Sequence, residues 1–503
     1  MSRTQVFPVP AGELDKLTYI NVGAQGKLTG KLRTSAVDID AILAHVLQAD
    51  VSKLVLHFHG GLVDEEAGAL TARRVVPLYR SAGAHPVVFI WETGFLETIV
   101  HNLSDIHNTK LFKRIVAFAV QQLAKQLNIS EFTRGPGQRE DVHQIEARIF
   151  GPGGMQNYDT RPVNESARGG SEALKTEDLD LVQQQAQAEI EEQLQAELIE
   201  SDTLNVVLRR EVPETPLLDK KKVADTEAEA AKGFISIAKL AYHISLIVYY
   251  AANRYIHKRD HGFTATIVEE TLREFYMADF GAWLWSGMKE AAEQMWSPNA
   301  DLAGDQLHGG RYFFEALSKL QQQKPSLIVD LVGHSAGSIA ICLMLRMADE
   351  AKLSLKIRNL ILMAPACTSD LFYQEIALHP QRFSNFRMFT MSDNFEKSDH
   401  LLPVIYDRSL LYLISGILEP EQVDMPIVGM LRFDASCAPV PSEMLSKVSQ
   451  FLRPGTGPQG IVMARTMVND PTGGPGFVSN AARHQDFNTD ADTCSSLVVM
   501  IKA

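Results

Sequence analysis

Leu327-Ile328-Val329-Asp330-Leu331-Val332 runs directly into Gly333-His334-Ser335-Ala336-Gly337, and then into Ser338-Ile339-Ala340-Ile341-Cys342-Leu343-Met344-Leu345. The first segment, apolar but for one residue, reads as a buried strand, and the last, rich in Ile, Leu and Ala, as a helix. Between them lies G-x-S-x-G in the strand-turn-helix setting that gives the pattern meaning. A strand turning sharply into a helix holds Ser335 in a strained backbone conformation. Only glycine at 333 and 337 lets the neighbouring backbone approach. The serine Oγ is then presented at the carboxyl edge of a sheet, over a helix N-terminus whose dipole favours a developing negative charge. Ser335 is therefore the candidate nucleophile. The competing reading is a glycine-rich turn with a capping serine.

The same alternation of strand and helix extends outward from this point. Upstream, Tyr312 to Leu320 has helical spacing; downstream, Ala336 to Asp349 reads as a helix and Leu360 to Met363, Phe386 to Met391 and Ile461 to Thr466 as strands. Near the start, Leu17 to Val22 and Lys27 to Leu32 flank GAQG and predict a hairpin. Ile39, Ile42, Leu43, Val46 and Leu47 recur at helical spacing behind a Ser35 or Asp38 cap. Lys53 to Phe58 and Pro86 to Trp91 are short apolar strands separated by the helical segment AGALTARRVVPLYRSAG, a strand-helix-strand order that predicts a parallel sheet.

The middle of the chain differs. Gly170 to Lys232 holds 16 Asp+Glu against 7 Lys+Arg, a net of −9 out of −13 for the 503 residues. Val182, Ala186, Ile190, Leu194 and Leu198 fall four apart within it, which predicts a solvated amphipathic helix. GPGGMQNYDTRPVNESARGG, just before it, reads as a loop or linker. The apolar run Phe234 to Ile256 is interrupted by Lys239 and His243 and is too broken to span a bilayer. It reads first as a buried helix and second as a helix lying on a lipid surface.

With 45% apolar and 22% charged residues the chain has the composition of a globular protein, and its length suits one large domain with an insertion or about three domains. A net negative charge argues against a protein that works by neutralising nucleic-acid phosphates or docking flat on anionic lipid. The first sixteen residues lack an apolar stretch followed by small residues, so no secretory signal is expected and the expected location is cytoplasmic. Cys342, Cys367, Cys437 and Cys494 are widely spaced without a CxxC pair, which predicts free thiols, no disulfide and no structural zinc.

An activated serine needs a base, and the base an orienting acid. Downstream of Ser335 the histidines are His379, His400 and His484. His484 follows the last predicted strand, in a loop that can swing back to the nucleophile, and leads His400. For the acid, Asp393 stands at the carboxyl end of strand FRMFTM, ahead of Asp370, Glu396 and Asp399. Strand Lys53 to Phe58 ends in His59-Gly60-Gly61, where an acyl-transfer site places a second oxyanion donor. The expected hole is the N–H of Ala336 with one from Gly61 or Leu62. His59, Gly60 and His334, beside these groups, are the expected substrate-binding residues. A metal site from His57, His59 and Asp64 is the weaker reading, since Asp64 lies too far along for a compact H-x-H-x-D set.

These residues together resemble the α/β-hydrolase superfamily of serine esterases and lipases: HFHGG at 57–61, GHSAG at 333–337, APA at 364–366, Asp393 and His484 in order. The chain looks most like uncharacterised bacterial members with an HGG turn and a GHSAG elbow. The resemblance covers roughly 300 residues in two portions. It implies an α/β-hydrolase fold, a mostly parallel central sheet flanked by helices, with core portions at 1–104 and 301–503; it does not cover 105–300, which reads from its own composition as a large helical, acidic cap insertion. It implies Ser335 as nucleophile, His484 as base and acid, Asp393 as orienter, and hydrolysis through an acyl-enzyme with no cofactor or metal. The expected substrate is a small-molecule ester or lipid with an apolar acyl group, its pocket lined from helix Phe234 to Ile256 with Phe275, Phe280, Trp283 and Trp285. Amide or thioester hydrolysis uses the same groups. A non-catalytic interaction protein with an acidic partner surface is the reading from another class; the sequence names no protein partner.

Overall fold

The computed structural model describes residues 14–60, 65–91, 103–104, 106, 109–127, 129, 133–135, 138–151, 174–200, 234–277, 280–401, 406–419, 423–453, 462–465 and 474–503. The chain forms two compact units. One comprises Met1–Glu97, Trp285–Glu396 and Pro426–Ala503, the other Thr98–Leu284 and Lys397–Met425.

In chain order the strands are β1 (Tyr19–Val22), β2 (Lys53–Phe58), β3 (His85–Trp91), β4 (Thr133–Gly135), β5 (Gln138–Arg139), β6 (Ile328–His334), β7 (Ile357–Met363), β8 (Phe383–Thr390) and β9 (Val462–Arg465). The first unit is built on a seven-stranded sheet of order β1-β3-β2-β6-β7-β8-β9, every pairing parallel. Helices Ala36–Gln48, Glu65–Ser81, Gly309–Gln323, Gly337–Glu350 and Ala491–Lys502 belong to the same unit. This is the α/β-hydrolase fold class, a parallel sheet flanked by helices. Such a sheet is covered on both faces, which is why its strands read as runs rather than alternations. Val55, Leu56, Phe58, Val87, Val88 and Phe89 are entirely buried. Truncating any one of the larger of them to alanine costs about 2–5 kcal/mol.

Several local expectations hold at the level of single side chains. Helix Ala36–Gln48 starts with a capping box in which Ser35 Oγ accepts from the Asp38 N–H and the Asp38 carboxylate accepts from the Ser35 N–H. The hairpin expected from Leu17 to Leu32 does not form. β1 pairs in parallel with β3, and its N–H at Asn21 donates to Thr34 Oγ1 instead of to a neighbouring strand. The Asn21 side chain, donating to Glu65 at 3.1 Å, packs against Gly30, and the Leu32 N–H also goes to Glu65. Side chains have taken the hydrogen bonds that a second strand would need.

The second unit is helical. Lys110–Gln126, Val142–Ile149, Leu179–Glu200, Phe234–Ile256 and Phe263–Leu272 pack together, with the two-stranded β4–β5 hairpin beside them. Leu179, Val182, Ala186, Ile190 and Leu194 form the buried stripe of helix Leu179–Glu200. The linker expected at 151–170 lies almost wholly outside the described residues, as do the side chains of Phe280 and Trp283. Among the described residues no helix is long and apolar enough to cross a membrane.

Lys397–Met425, which the sequence places with the second core portion, groups instead with these helices. A buried polar network joins them. His261 stands between two carboxylates, with Nδ1 at 2.8 Å from Glu269 and Nε2 at 2.8 Å from Asp424. Arg254 pairs with Glu269 and Glu270, Tyr406 donates to Glu269, and Arg273 donates to the carbonyl of Gly416. Burial works against the Glu269 carboxylate, but His261 and Arg254 outweigh it and hold this group below the ordinary carboxylate range.

Candidate active site

Strand order places the site. From β2 the chain continues to β3 on one side, and from β6 to β7 and β8 on the other, so the order reverses between β2 and β6. A crevice outside the carboxyl ends of a parallel sheet lies at such a switch point. The strands end in register, Phe58 opposite Gly333, so His59-Gly60 and His334-Ser335 emerge side by side.

The elbow at Ser335 has the strain that its glycines imply. Ser335 sits at φ 52°, in the left-handed region that a side chain disfavours. The conformation is held from several sides: the Ser335 N–H donates to Met363 O at 2.9 Å, its carbonyl accepts from the Ala366 N–H at 3.1 Å, and Ser338 Oγ donates to the same carbonyl at 2.6 Å. Ser338 in turn accepts from the Cys367 N–H. A Cβ on Gly337 would stand 2.2 Å from the carbonyl oxygen of Phe58, and one on Gly333 would strike Ile341 and the Gly337 backbone. Only hydrogen fits at either position.

Ser335 Oγ lies 2.8 Å from His484 Nε2, and both residues are buried. His484 comes from the loop ahead of helix Ala491–Lys502, as its position after the last strand implies. Burial, and secondarily His334, pushes its imidazole well below the ordinary value, so the ring is neutral and able to take the hydroxyl proton. Asp393 opens helix Asp393–Ser398 just beyond β8 and is half-buried. Its candidacy as orienter rests on that place at the carboxyl edge of the sheet. Of the alternatives, Asp370 is exposed in the first turn of helix Ser369–Phe372, and His400 pairs with Asp407 in the helical unit.

Gly60 presses on Ser335. A Cβ there would come within 3.1 Å of His334 Nδ1 and 3.2 Å of Ser335 Cβ. The turn that follows, with Gly61, Leu62 and Asp64, lies outside the described residues. Ala336 stands at the head of helix Gly337–Glu350, where the first N–H groups have no acceptor within the helix. Its amide is thus available for an oxyanion.

Three further buried histidines lie at the carboxyl ends of β2 and β6 or just beyond them. His59 Nδ1 donates to the carbonyl of Gly60 at 2.6 Å and Nε2 accepts from the Trp91 N–H at 3.2 Å. His57 Nδ1 meets Tyr79 OH at 2.8 Å. His334 Nε2 donates to the carbonyl of His484 at 2.9 Å, and its Nδ1 faces Asn488 Nδ2 at 3.0 Å. Burial is the main cause that depresses all three, His57 to about 3 and His59 and His334 to about 4. They are neutral rings engaged with the protein. Among the described residues no group of His, Cys, Asp or Glu is arranged to hold a metal ion.

Ser338 and Asn488 are supporting residues that the motif reading missed. Ser338 had a local signal, a hydroxyl three residues beyond Ser335 in the first turn of a helix. Asn488 had none, because its partner is 154 residues away.

Residues 310–398, spanning helix Gly309–Gln323 through β8 and the whole of helix Asp393–Ser398, match the family model described as "Alpha/beta hydrolase of unknown function (DUF900)". Neither a curated protein nor a solved structure matches the chain. A parallel sheet of this order, a strained serine at the end of β6 and this match over 310–398 support membership of the α/β-hydrolase superfamily.

Proposed function

We propose that the chain is a serine hydrolase of carboxylic esters. The observation that carries this reading is the 2.8 Å approach of a neutral, buried His484 Nε2 to the Oγ of a serine held at φ 52°. A hydroxyl in that position can pass its proton to the imidazole as it attacks an ester carbonyl. The oxyanion of the tetrahedral intermediate is stabilised by the Ala336 N–H and by a second donor from Gly61 or Leu62. Collapse breaks the bond to the leaving alkoxide, which takes the proton from His484, and leaves an acyl group on Ser335. Water, deprotonated by His484, then attacks the acyl-enzyme, and release of the acid restores the serine. Asp393 is the proposed orienter of the imidazole; without a carboxylate, a ring depressed this far by burial would charge with difficulty.

Labelling with a fluorophosphonate, wild type against Ser335→Ala, tests the reading. Labelling that depends on Ser335 is the expected result, and its absence from folded wild-type protein overturns the proposal. The proposed substrate carries an apolar acyl group. Octanoyl p-nitrophenyl ester should therefore be cleaved faster than the acetyl ester, and equal rates would reject the apolar preference.

A further inference from the structure

The side chain next to Ser335 is buried and bonded at both ring nitrogens to the loop that carries His484. His334 is the last residue of β6, with its backbone fixed in register against Met363. Its ring is buried, with its centroid 5.4 Å from that of His484 and 6.3 Å from that of Phe487. Both nitrogens meet groups of fixed polarity. The carbonyl of His484 can only accept, so Nε2 must carry the hydrogen; the amide nitrogen of Asn488 can only donate, so Nδ1 must carry the lone pair. The two partners select one and the same neutral tautomer. Gly60 leaves room for the ring, since a Cβ there would stand 3.1 Å from Nδ1.

We propose that His334 is a positioning residue that fastens the loop bearing the general base to the nucleophile strand. It acts through the main chain of His484, with Asn488 setting its tautomer. The residue beside the nucleophile thereby holds the backbone of the base, while the nucleophile itself meets the base's side chain. Sliding of the loop would stretch the 2.8 Å contact on which proton transfer depends, and sub-ångström placement of such a pair carries large factors in rate. This inference rests on the serine-hydrolase reading above.

The test compares fluorophosphonate labelling kinetics of wild type, His334→Phe, His334→Gln and Asn488→Leu, each with its melting temperature. His334→Phe keeps a planar ring and removes the donor, whereas glutamine places an N–H near the position of Nε2. The expected result is a fall in kinact by about tenfold to a hundredfold for phenylalanine with KI unchanged, and recovery to within about threefold of wild type for glutamine. Asn488→Leu should lower kinact by about threefold to tenfold. His334→Phe labelling at the wild-type rate overturns the positioning role and leaves the serine-hydrolase reading intact. Wild type that shows no Ser335-dependent labelling overturns both. Should the phenylalanine variant fail to fold, the nitrogen resonances of His334 in the wild-type protein decide: a proton on Nε2 is expected, and one on Nδ1 overturns the proposal.

Discussion

Gly337 faces the carbonyl of Phe58 so closely that a Cβ on it would stand 2.2 Å from that oxygen. The helix after Ser335 therefore packs against the end of β2 through bare backbone. Gly337→Ala forces either the helix or the strand end to move, at a cost of about 1–3 kcal/mol. A melting temperature lowered by several degrees, together with slowed labelling at Ser335, is the expected outcome. An alanine variant with unchanged melting and labelling would show that this approach is looser than described.

Strain at Ser335 makes a separate prediction about stability. A non-glycine residue in the left-handed region costs on the order of 1–3 kcal/mol, whereas glycine adds about 0.4–1 kcal/mol of unfolded-state entropy. The strain is the larger quantity. Ser335→Gly should therefore be more stable than Ser335→Ala by about 1 kcal/mol, read from urea unfolding of the two variants. A more stable alanine variant would contradict the φ of 52°.

The buried histidines predict how stability varies with pH. His57, His59 and His334 have folded-state values of about 3, 4 and 4, and His484 is depressed too, whereas an unfolded chain titrates near 6.5. Below pH 6.5 the unfolded state binds protons that the native state does not. Their contribution is complete above pH 6.5 and is lost as the pH falls toward 4. At pH 5 the loss is on the order of 2 kcal/mol for each fully depressed ring. Urea midpoints measured from pH 7.5 to 5 should fall, and His57→Gln should flatten the slope by roughly one proton. A midpoint independent of pH over this range would show that these rings are not buried neutral.

In the helical unit, His261 joins Glu269 to Asp424 with both side chains buried. His261→Phe leaves two acidic groups facing one fewer partner, a kind of change that costs about 3–5 kcal/mol. Limited proteolysis should then cut within 397–425 at protease levels that leave the wild type intact. Unchanged resistance would show that the network does not hold this segment.

How much of this was legible in the sequence follows from the range of each interaction. The elbow, the strands beside it and the capping box at Ser35 are local, set by periodicity and by steric limits a few residues apart. His484 could be placed from chain order alone, because a loop after the last strand of a parallel sheet returns to the same edge. Lys27 to Leu32 looked like a strand, yet Thr34 and Glu65 satisfy the hydrogen bonds it would have used. The place of Lys397–Met425 depends on contacts such as His261 with Asp424, 163 positions apart, and no local pattern announces such a pair. Of the site, Ser335 and His484 meet in the structure, whereas Asp393 keeps the positional assignment that the sequence offered.

The pairing of β2 with β6 also has a consequence for synthesis. Phe58 leaves the ribosome about 270 residues before Ile328, the first residue of the strand that covers its open edge. At roughly 5–20 residues per second, β2 waits for some fifteen seconds to nearly a minute as an uncovered apolar ribbon, with β1 and β3 on its other side alone. A nascent chain in this state invites wrong pairing, and the helical unit, which is mostly translated in the interval, has time to fold before the sheet is completed.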